Sequence, residues 1–165
     1  MQNKKYELLD NDTVTTWDGR TLKRIRALVA IGSLVAAGEL GGYIESEDNL
    51  SQVSGDAWVY GDAQVYGNAR VSGNARVSGD ARVSGDARVE QRRDIFWMSI
   101  IGSENGTYTA FKNKDGGVSV NRGCFNGTLE QFVDAVNERH TGQFHQEYQL
   151  VIELTKVRLG VGEAV

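Results

Sequence analysis

Few side chains in this sequence have the chemistry of a catalyst. Cys124 is the single cysteine, set between Gly123 and Phe125, and His140 and His145 are the only histidines. A thiol becomes a nucleophile when an imidazole within hydrogen-bond reach takes its proton, so Cys124 could act only if one of these histidines came beside it. A lone cysteine otherwise behaves as a small hydrophobe. His140, four residues after Val136, fits a helix end favoured by the dipole. No Cys or His spacing matches a metal site, and no glycine-rich string fits a phosphate loop. No catalytic set, metal or cofactor is therefore expected, and His140, His145 and Cys124 are the residues left to an enzymatic reading.

Arginine is the other chemically suggestive residue, because it recurs every six positions at Arg70, Arg76, Arg82 and Arg88. The recurrence belongs to six hexapeptides running without insertion from Gly55 to Glu90: GDAWVY, GDAQVY, GNARVS, GNARVS, GDARVS and GDARVE. A period this strict is an architecture. Alternation along a short strand puts Ala and Val of each unit on one face and the residue between them on the other. Alanine and valine should line an interior, while Trp58, Gln64 and the four arginines look outward. The Gly-Asp and Gly-Asn pairs supply turns, since glycine accepts positive φ and Asp or Asn bonds the local backbone.

These units, with Val59…Ala63 and onward to Val83…Ala87, resemble the hexapeptide-repeat family. The resemblance implies a left-handed parallel β-helix of triangular section and threefold assembly, with residue i lying under residue i+18. Two coils would make a stack about 10 Å tall at a strand spacing of about 4.8 Å, too short to stand without caps. The same rule places Trp58 beside Arg76, Gln64 beside Arg82 and Arg70 beside Arg88, with Gln52 above that last column. Trp58 and Arg76 could form a cation–π pair. Stacked guanidiniums need Asp86 and Glu90, or an anionic partner, to balance them. Arg70, Arg88 and Arg76 with Trp58 or Tyr66 are accordingly the candidate ligand-binding residues, for a small anion or nucleotide near a subunit interface. Acyltransferases of this family carry a base histidine on or beside the prism. This array has none, so such an enzyme would need His140 or His145 across an interface.

Before the array, Thr21–Leu28 and Leu40–Ser51 are short apolar runs punctuated by glycine, read as strands or coils that close the first end. The strings LKRIRAL, GELGGYIESEDNLS and WVYG, over residues 4–90, look like the start of hexapeptide-repeat proteins common in temperate phages and enterobacterial genomes. That resemblance implies a phage or prophage origin without an activity, and RGCFNGTL at 122–129 is similar to phage proteins in the same way. After Glu90 the period stops. Ile95–Ile101, Thr107–Lys112 and Val118–Val120 read as antiparallel strands. Thr128 and Gln131 spell a capping box before Leu129, Phe132, Val133 and Val136, and Phe144, Tyr148, Val151, Ile152, Thr155 and Leu159 mark a second helix. The expected fold is mainly β: a lead-in over 1–54, a short left-handed parallel β-helix over 55–90, and an α+β module over 91–165 with an antiparallel sheet and two helices.

Over 165 residues the net charge is −4, and 20 glycines accompany no proline. No segment is basic, which disfavours duplex nucleic acid, and no apolar run is long enough for a membrane span. The N-terminus lacks an apolar signal region and the lone cysteine forms no disulfide framework, so a cytoplasmic setting is expected. The functional expectation is a non-enzymatic, homotrimeric phage accessory protein that inhibits host defence by binding a host protein or sequestering a small anionic or nucleotide ligand. An acyltransferase or a structural assembly protein are the alternatives.

Overall fold

Each hexapeptide contributes one short edge of a stacked coil, because its Ala and Val point the same way and its glycine turns the chain. The computed structural model describes residues 4–53 and 55–160. Six two-residue strands, β4 (Trp58–Val59), β5 (Gln64–Val65), β6 (Arg70–Val71), β7 (Arg76–Val77), β8 (Arg82–Val83) and β9 (Arg88–Val89), follow at six-residue intervals. They pair in parallel as β4 with β7, β5 with β8 and β6 with β9, the registers being Trp58↔Arg76, Gln64↔Arg82 and Arg70↔Arg88. The offset of 18 is the one expected for three units per coil. Every repeat alanine from Ala57 to Ala87 and every repeat valine from Val59 to Val89 is buried, each valine contributing roughly 1.5–3 kcal/mol relative to exposure. Gly73 shows what the corners require: its φ is +61°, and a Cβ there would lie 2.5 Å from the Glu90 carbonyl oxygen.

The lead-in is more regular than its sequence suggests. β1 (Tyr6–Thr15), β2 (Thr21–Ala27) and β3 (Leu40–Ile44) form an antiparallel sheet, and β3 then pairs in parallel with β5. Ile44 stands beside Val65 and Leu50 bridges to Val71, an offset of 21 instead of 18. Both side chains are fully buried and continue the valine columns upward. Strand β1 has no counterpart in the apolar runs noted above, because Asp10, Asn11, Asp12 and Thr13 interrupt its apolar residues.

The chain after the repeats builds a four-stranded antiparallel sheet in the order β10 (Ile95–Ile101), β11 (Gly106–Lys112), β12 (Val118–Arg122), β13 (Phe125–Thr128). Its fourth strand comes from the FNGT segment, which sequence patterning left unassigned. Helix α1 (Leu129–Arg139) starts at the expected box: Gln131 N–H donates to Thr128 Oγ1 at 3.1 Å and Thr128 N–H to Gln131 Oε1 at 2.9 Å. Helix α2 (Gly142–Leu159) buries Tyr148, Val151, Ile152, Thr155 and Leu159 against the sheet. Phe144, expected on that face, is instead 37% exposed.

The module closes the lower end of the coils with side chains that imitate another strand. Arg82 N–H donates to Thr109 Oγ1 at 3.1 Å, and Asn121 Nδ2 donates to the Arg82 carbonyl at 2.8 Å. Ile95 and Phe111 enter the same apolar core as the repeat valines. The protein is thus mainly β with two helices and a β-solenoid repeat region. Among the described residues no helix is long and apolar enough to cross a membrane.

Candidate functional site

The outward arginines keep their expected register but not their expected company. Trp58, read as outward, is 1% exposed and packs edge-on to Tyr6 at 6.1 Å, so it cannot stack on Arg76 or reach a ligand. Tyr66 is likewise buried, clustered with Leu22 and Tyr43. Alternation tells which side chains leave the solenoid interior, but the N-terminal sheet lies over those of the upper coil. Arg88 donates through Nη1 to the carbonyls of Asn68 and Ala87, at 3.1 and 2.9 Å. Asp86, expected to balance it, lies 3.6 Å from Lys114 Nζ instead. Gln52 does not cover the column either, since its amide bonds the Lys5 and Tyr6 backbone. Arg70 is exposed, with no carboxylate partner among the described residues.

The catalytic candidates are dispersed over structural roles. His140 caps α1 through its own N–H to the Val136 carbonyl at 3.0 Å, and its ring lies 5.2 Å from that of Tyr148. His145 is 2.8 Å from Asn137 Oδ1. Cys124 is exposed in the turn between β12 and β13. It shares a cleft of about 230 Å³ with Arg122, Phe132, His140 and Tyr148. Below it, Arg122 Nε and Nη2 and the Tyr148 hydroxyl are buried without a hydrogen-bond partner. Burial holds the Tyr148 phenol above its ordinary range, opposed by Arg122. No hydrogen bond joins Cys124 to a histidine among the described residues, although Cys124 and His140 line the same cleft. No metal-ligating cluster occurs among those residues.

A different cleft gathers cationic and aromatic groups. About 540 Å³ in volume, it lies where the solenoid meets the module and is lined by Arg76 of β7, Arg92 after the last repeat and Arg158 in the last turn of α2. Tyr60, Phe96 and Trp97 add aromatic surface, and no Asp or Glu is in the lining. Among the described residues none of the three guanidiniums has a carboxylate within 4.0 Å. Sequence reasoning named Arg76 but missed Arg92 and Arg158. Arg92 sits in a Gln-Arg-Arg string read only as a boundary, and Arg158 lies in the last turn of α2, far along the chain from any repeat, so only the fold brings them together.

Residues 51–67, 63–79 and 75–91 each match the family model described as the YdcK beta-solenoid repeat. No curated protein matches the chain. The three overlapping matches and the parallel pairing at an offset of 18 agree in their limits, and together they identify this chain as a repeat β-solenoid protein over residues 51–91.

Proposed function

We propose that this protein binds a small anionic ligand, a nucleotide above all, between the solenoid and its C-terminal module, without transforming it. The observation that carries the reading is the convergence of Arg76, Arg92 and Arg158 with Tyr60 and Trp97 around a cleft that holds no carboxylate. Guanidiniums take phosphate oxygens with paired, charge-assisted hydrogen bonds, and a flat base suits aromatic faces. The site sits at Arg76 rather than at the Arg70 and Arg88 column, because Arg88 is engaged by two backbone carbonyls. The resemblance to hexapeptide-repeat phage proteins supports the rest of the reading: a left-handed coil, a homotrimer, and action in the host cytoplasm, where sequestering a signalling nucleotide or binding a host protein would blunt a defence. The acyltransferase alternative draws support only from Cys124 and His140 lining one cleft.

Titration calorimetry against a panel of mono-, di- and cyclic oligonucleotides tests it. The wild type should bind at least one member, more weakly as salt rises, and Arg92→Gln/Arg158→Gln should weaken binding at least tenfold at an unchanged melting temperature. Each lost charged hydrogen bond is worth about 1.5–3 kcal/mol. Undiminished binding by that variant, or loss through Arg70→Gln/Arg88→Gln instead, sinks this placement, and turnover of acetyl-CoA would select the enzyme.

A further inference from the structure

Helix α2 is apolar on two sides. One side carries Tyr148, Val151, Ile152, Thr155 and Leu159 into the module's core. The other displays Leu150, Leu154 and Val157, which are 67%, 38% and 76% exposed. Their spacing of four and then three is that of a coiled-coil seam, with Leu150 and Val157 at d and Leu154 at a. The seam continues onto the sheet. Leu150 shares an apolar cleft of about 520 Å³ with Met98, Ile100 and Phe144, and Ile100, at φ +62°, is 79% exposed beside the β10 bulge. A β-branched residue in the left-handed region is costly, and such strain persists where the surroundings or a function require it. The exposed parts of Ile100, Phe144, Leu150, Leu154 and Val157 sum to apolar surface on the order of 500 Å², near the top of what a lone protein shows as its largest patch and comparable to the centre of one side of a standard interface.

We infer that this face of α2 is a parallel self-association seam between copies of the chain. Charge favours a second copy as the occupant. In the register that puts Leu150, Leu154 and Val157 together, Glu153 falls at g and Arg158 at the following e. A parallel neighbour therefore meets each carboxylate with a guanidinium, whereas an antiparallel one sets like positions together. Leu154 at a followed by Val157 at d reverses the order preferred by dimers, whereas Leu150 at d fits it, so the seam itself does not fix the number of strands. The upper solenoid faces are covered within the chain, as the burial of Trp58 and Tyr66 shows, while this helix face is bare. The inference supplies a surface for the proposed homotrimer and rests on the apolar stripe of α2; Arg158 borders both sites, so the charge argument and the anion reading share that residue.

Sedimentation equilibrium of the full chain at micromolar concentration is the test, with Leu150→Glu/Val157→Glu beside the wild type. A cyclic oligomer should become monomeric in the double variant with an unchanged circular dichroism spectrum, since both residues are exposed. As a second measurement, Val157→Cys in a Cys124→Ser background should form interchain disulfides with glutathione disulfide as the oxidant, because parallel d positions face one another across the axis. A monomeric wild type overturns the inference. So does an oligomer whose mass the double variant leaves unchanged, or a Val157→Cys chain that fails to cross-link, and nucleotide binding persisting in the monomeric variant would show that the anion reading stands apart from it.

Discussion

Arg24 illustrates how one side chain can join sheet to solenoid. Its Nε donates to Asp12 at 2.6 Å, its Nη1 to the carbonyls of Gly41 and Gly61 at 2.8 and 3.2 Å, and its Nη2 to the Tyr43 hydroxyl at 2.5 Å. The guanidinium also lies 4.3 Å from the centre of the Tyr43 ring. Arg24→Gln should cost about 2–3 kcal/mol, since bonds to a charged donor are lost and two carbonyls lose their partner, and urea unfolding at neutral pH would measure it. Hydrogen bonds from Tyr43 and then Arg24 hold the Asp12 carboxyl below its ordinary range. A depressed carboxyl stabilises the fold above its unfolded pKa of about 4, and that part is lost as pH falls through the lower folded value. The gap between wild type and Arg24→Gln should therefore narrow in acid, and a gap independent of pH would rule out the carboxylate's share. None of this hub was legible in the sequence, because Arg24, Asp12 and Gly61 belong to segments with no common period. Trp58 teaches the same lesson in reverse: its face was readable from alternation, its burial was not.

At the scale of the element, the repeat was legible because one rule, small and branched residues alternating with polar ones between Gly-Asx turns, is applied six times and leaves a single register. The pairing of Val59 with Val77 and Val71 with Val89 follows from it. Val77 is fully buried, so Val77→Asp would place a carboxylate where no donor waits and should cost several kcal/mol, enough to unfold a domain of this size. A soluble Val77→Asp protein with the wild-type melting temperature would contradict the stacked interior. Elements outside the array obey weaker rules. The box at Thr128 fixed the start of α1, but β1 and β13 escaped notice, the first because polar residues interrupt its pattern and the second because Asn126 and Gly127 favour turns over strands. Helix α2 was found from its inner stripe alone. Its outer stripe at Leu150, Leu154 and Val157 falls outside that pattern, which tracks only the residues facing the sheet.

For the whole molecule the question is how coils this few remain folded, since a short stack has two open ends for every interior. Here the ends are closed from both sides by the same chain. Above, Ile44 and Leu50 extend the valine columns, and Tyr6 donates its hydroxyl to the Leu50 carbonyl at 2.5 Å. Below, Thr109 and Asn121 satisfy the Arg82 backbone, the Lys114 N–H donates to the Asp86 carbonyl at 2.9 Å, and Asn121 and Asn126 both donate to Ser84 Oγ at 2.9 Å. Ile95 and Phe111 reach from the module into the solenoid core. Solenoid and module therefore share apolar contacts and backbone hydrogen bonds that neither can replace with water while folded. Unfolding the module would strip the lower coil of its cap and expose Val83 and Val89, so the two should melt together. Scanning calorimetry of the full chain is expected to show one transition whose calorimetric and van't Hoff enthalpies agree, and Asn121→Ala should lower that single midpoint without splitting it. Two separable transitions, with the solenoid surviving the loss of the module's near-ultraviolet signal, would mean that the lower coil does not need its cap.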